Sequence, residues 1–97
     1  MYAVALIRYR RPLEQVVVHQ DTHRAYLQEL KSKGLLLAAG PLDPRFGGML
    51  LLRVPDDNVE AALDDIRDND PYIKAGVVQY ELLGWNPLFG RDGLDKL

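Results

Sequence analysis

The sequence contains no cysteine. That excludes disulfide staples, thiolate catalysis and cysteine-ligated zinc or iron–sulfur centres, and it fits a reducing compartment, with the cytoplasm as the expected location. Excess positive charge is also missing: twelve Lys and Arg stand against fourteen Asp and Glu, a formal net charge of −2 with a pI near 5.6. Such a balance offers no basic, phosphate-tracking surface, so neither nucleic acid nor an anionic membrane is an expected partner. No long apolar run is present. The apolar start, Met1 to Ile7, lacks a basic leader and meets Arg8, Arg10 and Arg11 within a few residues. It falls far short of the ~20 residues that span a bilayer core. Nor do Gly34, Gly40, Gly47 and Gly48 form a P-loop or a dinucleotide fingerprint; no cofactor is expected.

What is there is one domain's worth of globular chain, 97 residues with 47% hydrophobic content. A chain this short buries a small fraction of its surface, and oligomerisation is a common remedy. Tyr2 to Tyr9 reads as a largely buried strand ended by Arg10-Arg11-Pro12. From Leu13 to Lys33 the period becomes helical, with Val16, His23, Leu27 and Leu30 on one side. The start of that helix is ambiguous because Val16-Val17-Val18 is a β-branched run; Asp21 or Thr22 would cap a shorter version. Lys31, Lys33 and Gly34 supply the stop. Leu35 to Ala39 and Met49 to Val54 read as two further strands, separated by Gly40-Pro41, Asp43-Pro44 and Gly47-Gly48. Asp57 with Glu60 resembles a capping box for a second helix whose apolar face is Val59, Ala62, Leu63 and Ile66. Asn69-Asp70-Pro71 breaks it, and Val77 to Leu83 is a fourth strand. The tail from Trp85 to Leu97 is expected to be irregular.

The order strand, helix, strand, strand, helix, strand predicts an α+β, ferredoxin-like βαββαβ domain over residues 1–97, with a four-stranded antiparallel sheet and both helices on one face. An apolar opposite face would call for a second copy, hence a homodimer or higher homo-oligomer.

Two places carry candidate chemistry. His23 falls in the arc of Leu27 and Leu30 and so points toward the sheet, where an imidazole can serve as general base or acid near neutral pH. From spacing alone, a core-edge histidine satisfied by backbone groups is the reading favoured. His19 stands four residues before it, but the glutamate of helical zinc motifs is missing and a third ligand would have to come from elsewhere, such as Asp70; no metal is expected. Asp70-Pro71-Tyr72 is a helix-start signal in its own right. Placed beside His23, Asp70 would also fix the imidazole's tautomer and stabilise its protonated form.

Taken together, His23-Arg24-Ala25-Tyr26-Leu27-Gln28-Glu29-Leu30 running into Gly34 to Pro41, followed by Asp70-Pro71-Tyr72-Ile73-Lys74-Ala75-Gly76-Val77, resemble the YCII-related (YciI-like) family. The resemblance spans nearly the whole chain to about Trp85. It implies the dimeric α+β barrel variant of the ferredoxin-like fold, and a site made of the histidine and aspartate that correspond to His23 and Asp70. One branch of the family resembles a lyase that removes chloride from a hydroxylated aromatic ring, and the wider superfamily includes isomerase-like and monooxygenase-like proteins. Gln20 departs from the pattern, standing where an arginine is often found; Arg8 or Arg10 would be its substitutes toward an anionic ligand. The expected function is a lyase or isomerase-like enzyme acting on a small organic molecule by proton transfer, in a pocket lined by Tyr72 and Leu27, with Gly40 and Pro41 at its rim and Arg8 nearby. The rival is a non-catalytic ligand-binding or assembly module.

Overall fold

The structure, a computed structural model, describes all of residues 1–97. Strand β1 (Tyr2–Tyr9) alternates as a half-covered strand should: Ala3, Ala5 and Ile7 are buried on one side, while Val4 and Leu6 are only partly covered on the other. The following segment resolves the ambiguity of the valine run. Helix α1 (Leu13–Val16) gives way to a 3₁₀ turn over Val17–His19, and α2 (Gln20–Ser32) continues from it. Val16 fills the core, and the tighter turn absorbs the crowded β-branched pair that follows. The expected cap at Asp21 or Thr22 is absent. Gln20 enters α2 already bonded, its N–H donating to the Val17 carbonyl, so the first turn needs no side-chain acceptor; the Thr22 hydroxyl donates to His19 O instead.

The other end of α2 is as expected. Gly34 takes φ +77°, its N–H reaches Lys31 O and the Leu35 N–H reaches Leu30 O, which is the Schellman pattern. Strands β2 (Leu36–Pro41) and β3 (Gly47–Arg53) follow, with a register irregularity between Leu36 and Ala38. Helix α3 (Val59–Asp68) starts from Asn58 in the left-handed region, φ 56°, with no side-chain cap. The Asp57–Glu60 capping box therefore does not form: the turn through Asn58 leaves Asp57 one position outside the cap. One-turn helix α4 (Pro71–Lys74) and strand β4 (Val78–Trp85) complete the sheet.

The strand order is β2-β3-β1-β4 with every neighbouring pair antiparallel, the ferredoxin-like topology. Ala5 sits between Leu50 and Leu82, and Ala3 faces Leu52 on β3, so small residues on the central strand leave room for larger neighbours and for the helices above. Leu30 of α2 and Leu63 and Ile66 of α3 pack with them in one core. None of α1 to α4 lies on the opposite face, where Val4, Leu6, Met49, Leu51, Leu83 and Trp85 fall; Met49, Leu83 and Trp85 are 39%, 43% and 42% exposed. The tail, expected to be irregular, forms a one-turn helix, α5 (Arg91–Asp95). It docks on one end of that face: the Tyr2 hydroxyl donates to Asp95, Arg91 lies over the Tyr2 ring, and Arg53 donates to the Leu94 and Leu97 carbonyls. Arg53 and Tyr2 on the sheet give the tail something to bind, which its own composition does not reveal. No helix is long and apolar enough to cross a membrane.

Candidate active site

Asp70 caps α4, and the same carboxylate reaches α2. Its Oδ1 accepts the Tyr72 backbone N–H at 2.9 Å and lies 2.8 Å from His23 Nδ1, across 47 residues of chain. Its Oδ2 accepts the hydroxyl of Tyr80, which β4 presents on the helix side of the sheet. Asp70 is wholly buried and His23 is 8% exposed. The imidazole stacks on the Tyr72 ring with centroids 3.8 Å apart and planes 10° from parallel. Both reasons to place an aspartate before Pro71 are thus met by one residue: it caps a helix and it grips a histidine.

The arrangement dictates the tautomer. An oxygen already receiving a backbone N–H can serve Nδ1 only as an acceptor, so Nδ1 carries the hydrogen and Nε2 of a neutral ring keeps its lone pair. Nε2 has no protein partner, yet no buried side-chain nitrogen or oxygen is left without one. Nε2 therefore opens on the adjacent cavity. Around this pair the phenols are held neutral. Burial and then the Asp70 charge push the Tyr26 pKa up to about 12, and its hydroxyl donates to Ile66 O at 2.8 Å. Burial, followed by the charge and hydrogen bond of Asp70, raises Tyr80 still further, which keeps it a donor.

The cavity measures about 300 Å³. His23, Leu27 and Tyr72 line it, and Gly40 and Pro41 form part of its wall. Arg8 does not. Strand alternation turns Ile7 and Tyr9 toward the cavity and Arg8 to the opposite face, where it pairs with Glu81 at 3.0 Å. Arg10 is exposed and does not line the cavity either. His19 stays outside, and nowhere do three His, Asp or Glu side chains gather as a metal site would require.

A model of the YCII-related domain matches residues 1–86. The chain belongs to the YCII-related family. No curated protein matches it. Among solved structures, the chain is similar to 5-chloro-2-hydroxyhydroquinone dehydrochlorinase from Burkholderia phenoliruptrix, in complex with 2,5-dihydroxybenzoquinone, at 23% identity and a TM-score of 0.72, over 89% of this chain and 94% of that one. The likeness is one of fold.

Two features of this YCII-related chain escape a reading of its sequence. Tyr80 carries a signal, since Val78, Tyr80 and Leu82 alternate onto one face of β4, but alternation does not say that a carboxylate waits there. Arg45 carries none. It lies in the loop between β2 and β3 and reaches over the cavity, donating from Nε to the Tyr9 hydroxyl at 3.0 Å and from Nη2 to Gln20 Oε1 at 2.7 Å.

Proposed function

We propose that this protein is a small-molecule enzyme of the lyase or isomerase kind, acting by proton transfer at His23. The observation that carries the reading is the His23–Asp70 contact at the cavity wall, with Nε2 as the one nitrogen left to meet a ligand. His23 takes a proton from carbon or oxygen of the bound molecule, and Asp70, touching only the far nitrogen, positions the ring and stabilises its cation. The released electron pair then either expels a leaving group such as chloride, for a net loss of HCl, or delocalises until the proton returns at another atom. The first outcome is supported by the fold neighbour, a dehydrochlorinase holding a dihydroxybenzoquinone. A cavity near the low end of the range for ligand sites suits a molecule of one ring. The uncovered apolar face of the sheet supports a homodimer as the working form.

The reading is tested by chloride release from chlorinated di- and trihydroxybenzenes, and by deuterium exchange at activated C–H groups of small lactones and enol acids. The intact protein is expected to turn over at least one of them, and His23→Ala to abolish it. The fold survives the change because Asp70 keeps its Tyr72 and Tyr80 donors. Turnover that persists in His23→Ala overturns the assignment. The second reading, a binding module, is favoured by Asp70's capping bond, which accounts for that residue without chemistry; binding without turnover or exchange across the panel would select it.

A further inference from the structure

Of the thirteen residues lining the cavity, two are arginines and none is a carboxylate. The lining is thus positively charged in a molecule whose net charge is −2. Neither Arg24 nor Arg45 has an acidic group within ion-pair distance, whereas Arg8 and Arg67 elsewhere are so paired. Asp70 sits behind His23 and faces away from the cavity space. Arg45 is held over the opening by neutral groups, the Tyr9 hydroxyl and the Gln20 amide oxygen, with the Tyr72 phenol also close to it. Because the Tyr9 oxygen accepts from Arg45, its own hydrogen is free to point elsewhere.

We propose that Arg45, with Arg24 beside it, is the specificity determinant of this cavity and selects a small planar organic oxyanion, a carboxylate, phenolate or enolate on a single ring. The guanidinium is charged at every working pH and weakly hydrated, and it presents parallel N–H donors that match an oxyanion. Leu27, Ile7 and Leu50 give the ring an apolar bed, and Tyr72 gives it an aromatic neighbour already stacked on His23. With the charged end at Arg45 and the Tyr9 hydroxyl, the ring body lies toward Nε2 of His23. The same two arginines would then stabilise negative charge that develops on the ring oxygen when a proton leaves. Arg45 trades its amide and phenol partners for the ligand and gives up no ion pair in doing so.

This inference rests on reading the cavity as the substrate site, but its test reads ligand charge without turnover and so fails separately. Benzoate and its neutral isostere benzamide serve as probes, titrated into the intact protein by calorimetry and followed by the shifts of the His23 ring protons. Benzoate is expected to bind at least about tenfold more tightly than benzamide. Arg45→Gln should remove most of that preference and Arg45→Lys should keep part of it, with unchanged thermal stability, since the side chain is exposed. His23→Ala, which stops the proposed chemistry, should still prefer benzoate. Equal binding of the two probes, no binding of benzoate at tens of millimolar, or a preference that survives Arg45→Gln would overturn the proposal.

Discussion

At the scale of single residues, the two oxygens of Asp70 have different freedoms. Oδ1 faces the Tyr72 N–H, which can only donate, whereas Oδ2 faces the Tyr80 hydroxyl, which can turn and accept. Asp70→Asn therefore has one orientation that keeps both the cap and the histidine bond: the amide oxygen toward Tyr72 and His23, the NH₂ toward Tyr80. The helix cap and the Nδ1–H tautomer both survive, and only the negative charge beside the imidazolium is lost. We expect a stability change of about 1 kcal/mol or less by urea unfolding, with turnover reduced about 10- to 100-fold. That is milder than the roughly 10⁴-fold loss caused where an Asn forces the wrong tautomer. Adding Tyr80→Phe strands the amide NH₂ in the interior and should remove about 1–3 kcal/mol. A fully active Asp70→Asn would show that the charge is idle. The helical spacing of His23 with Leu27 and Leu30 already turned the imidazole inward in the sequence, and Asp-Pro already marked a helix start. Their meeting was not legible, because the contact depends on how α2 and α4 pack over the sheet, and neither residue's neighbours encode that.

At the scale of elements, the cavity depends on how closely β1 and β3 run. Gly47 lies opposite Arg8, and a Cβ built there would come 1.9 Å from the Ile7 carbonyl oxygen. The obstacle is backbone, so no rotamer change relieves it. Gly47→Ala should destabilise the protein by about 1–3 kcal/mol or more. It should also loosen the rung that carries Ile7 and Tyr9 past the cavity, visible as a lower melting temperature and faster amide exchange at Tyr9, whose N–H bonds Phe46 O. A wild-type melt would mean that the strands can separate at no cost, which this register does not permit. Elements of this protein announce themselves where apolar runs and glycine stops coincide, which is why Tyr2–Tyr9 and the Gly34 terminus are readable. They are misread at helix starts. Asp57 and Glu60 have the spacing of a capping box and Asp21 and Thr22 the chemistry of a cap, yet a preceding 3₁₀ turn and a left-handed Asn58 take over the entry geometry. Arg45 belongs to the same class: a loop residue's reach is fixed by the strands on either side of it.

At the scale of the whole molecule, one sheet face is a core and the other is unfinished. Leu51, Val4 and Leu83 lie side by side across three strands on the face away from α2 and α3, bordered by Leu6, Met49 and Trp85. The tail helix covers only the end near Tyr2 and Arg53, and the Arg8–Glu81 pair marks the opposite end. An apolar centre with polar ends is the anatomy of an interface, and a face that repeats on every copy is suited to a two-fold pair. Sedimentation at micromolar concentration should therefore give a species of twice 11.0 kDa. Leu51→Glu sets a charge at the middle of that row and outside the core between sheet and helices, so the protomer should remain folded while the pair dissociates. The expected signature is a mass of 11.0 kDa, Trp85 emission shifted to the red, and circular dichroism unchanged. A wild-type protein that sediments only at 11.0 kDa would rule out self-association, and a Leu51→Glu dimer would show that the copies meet through some other surface.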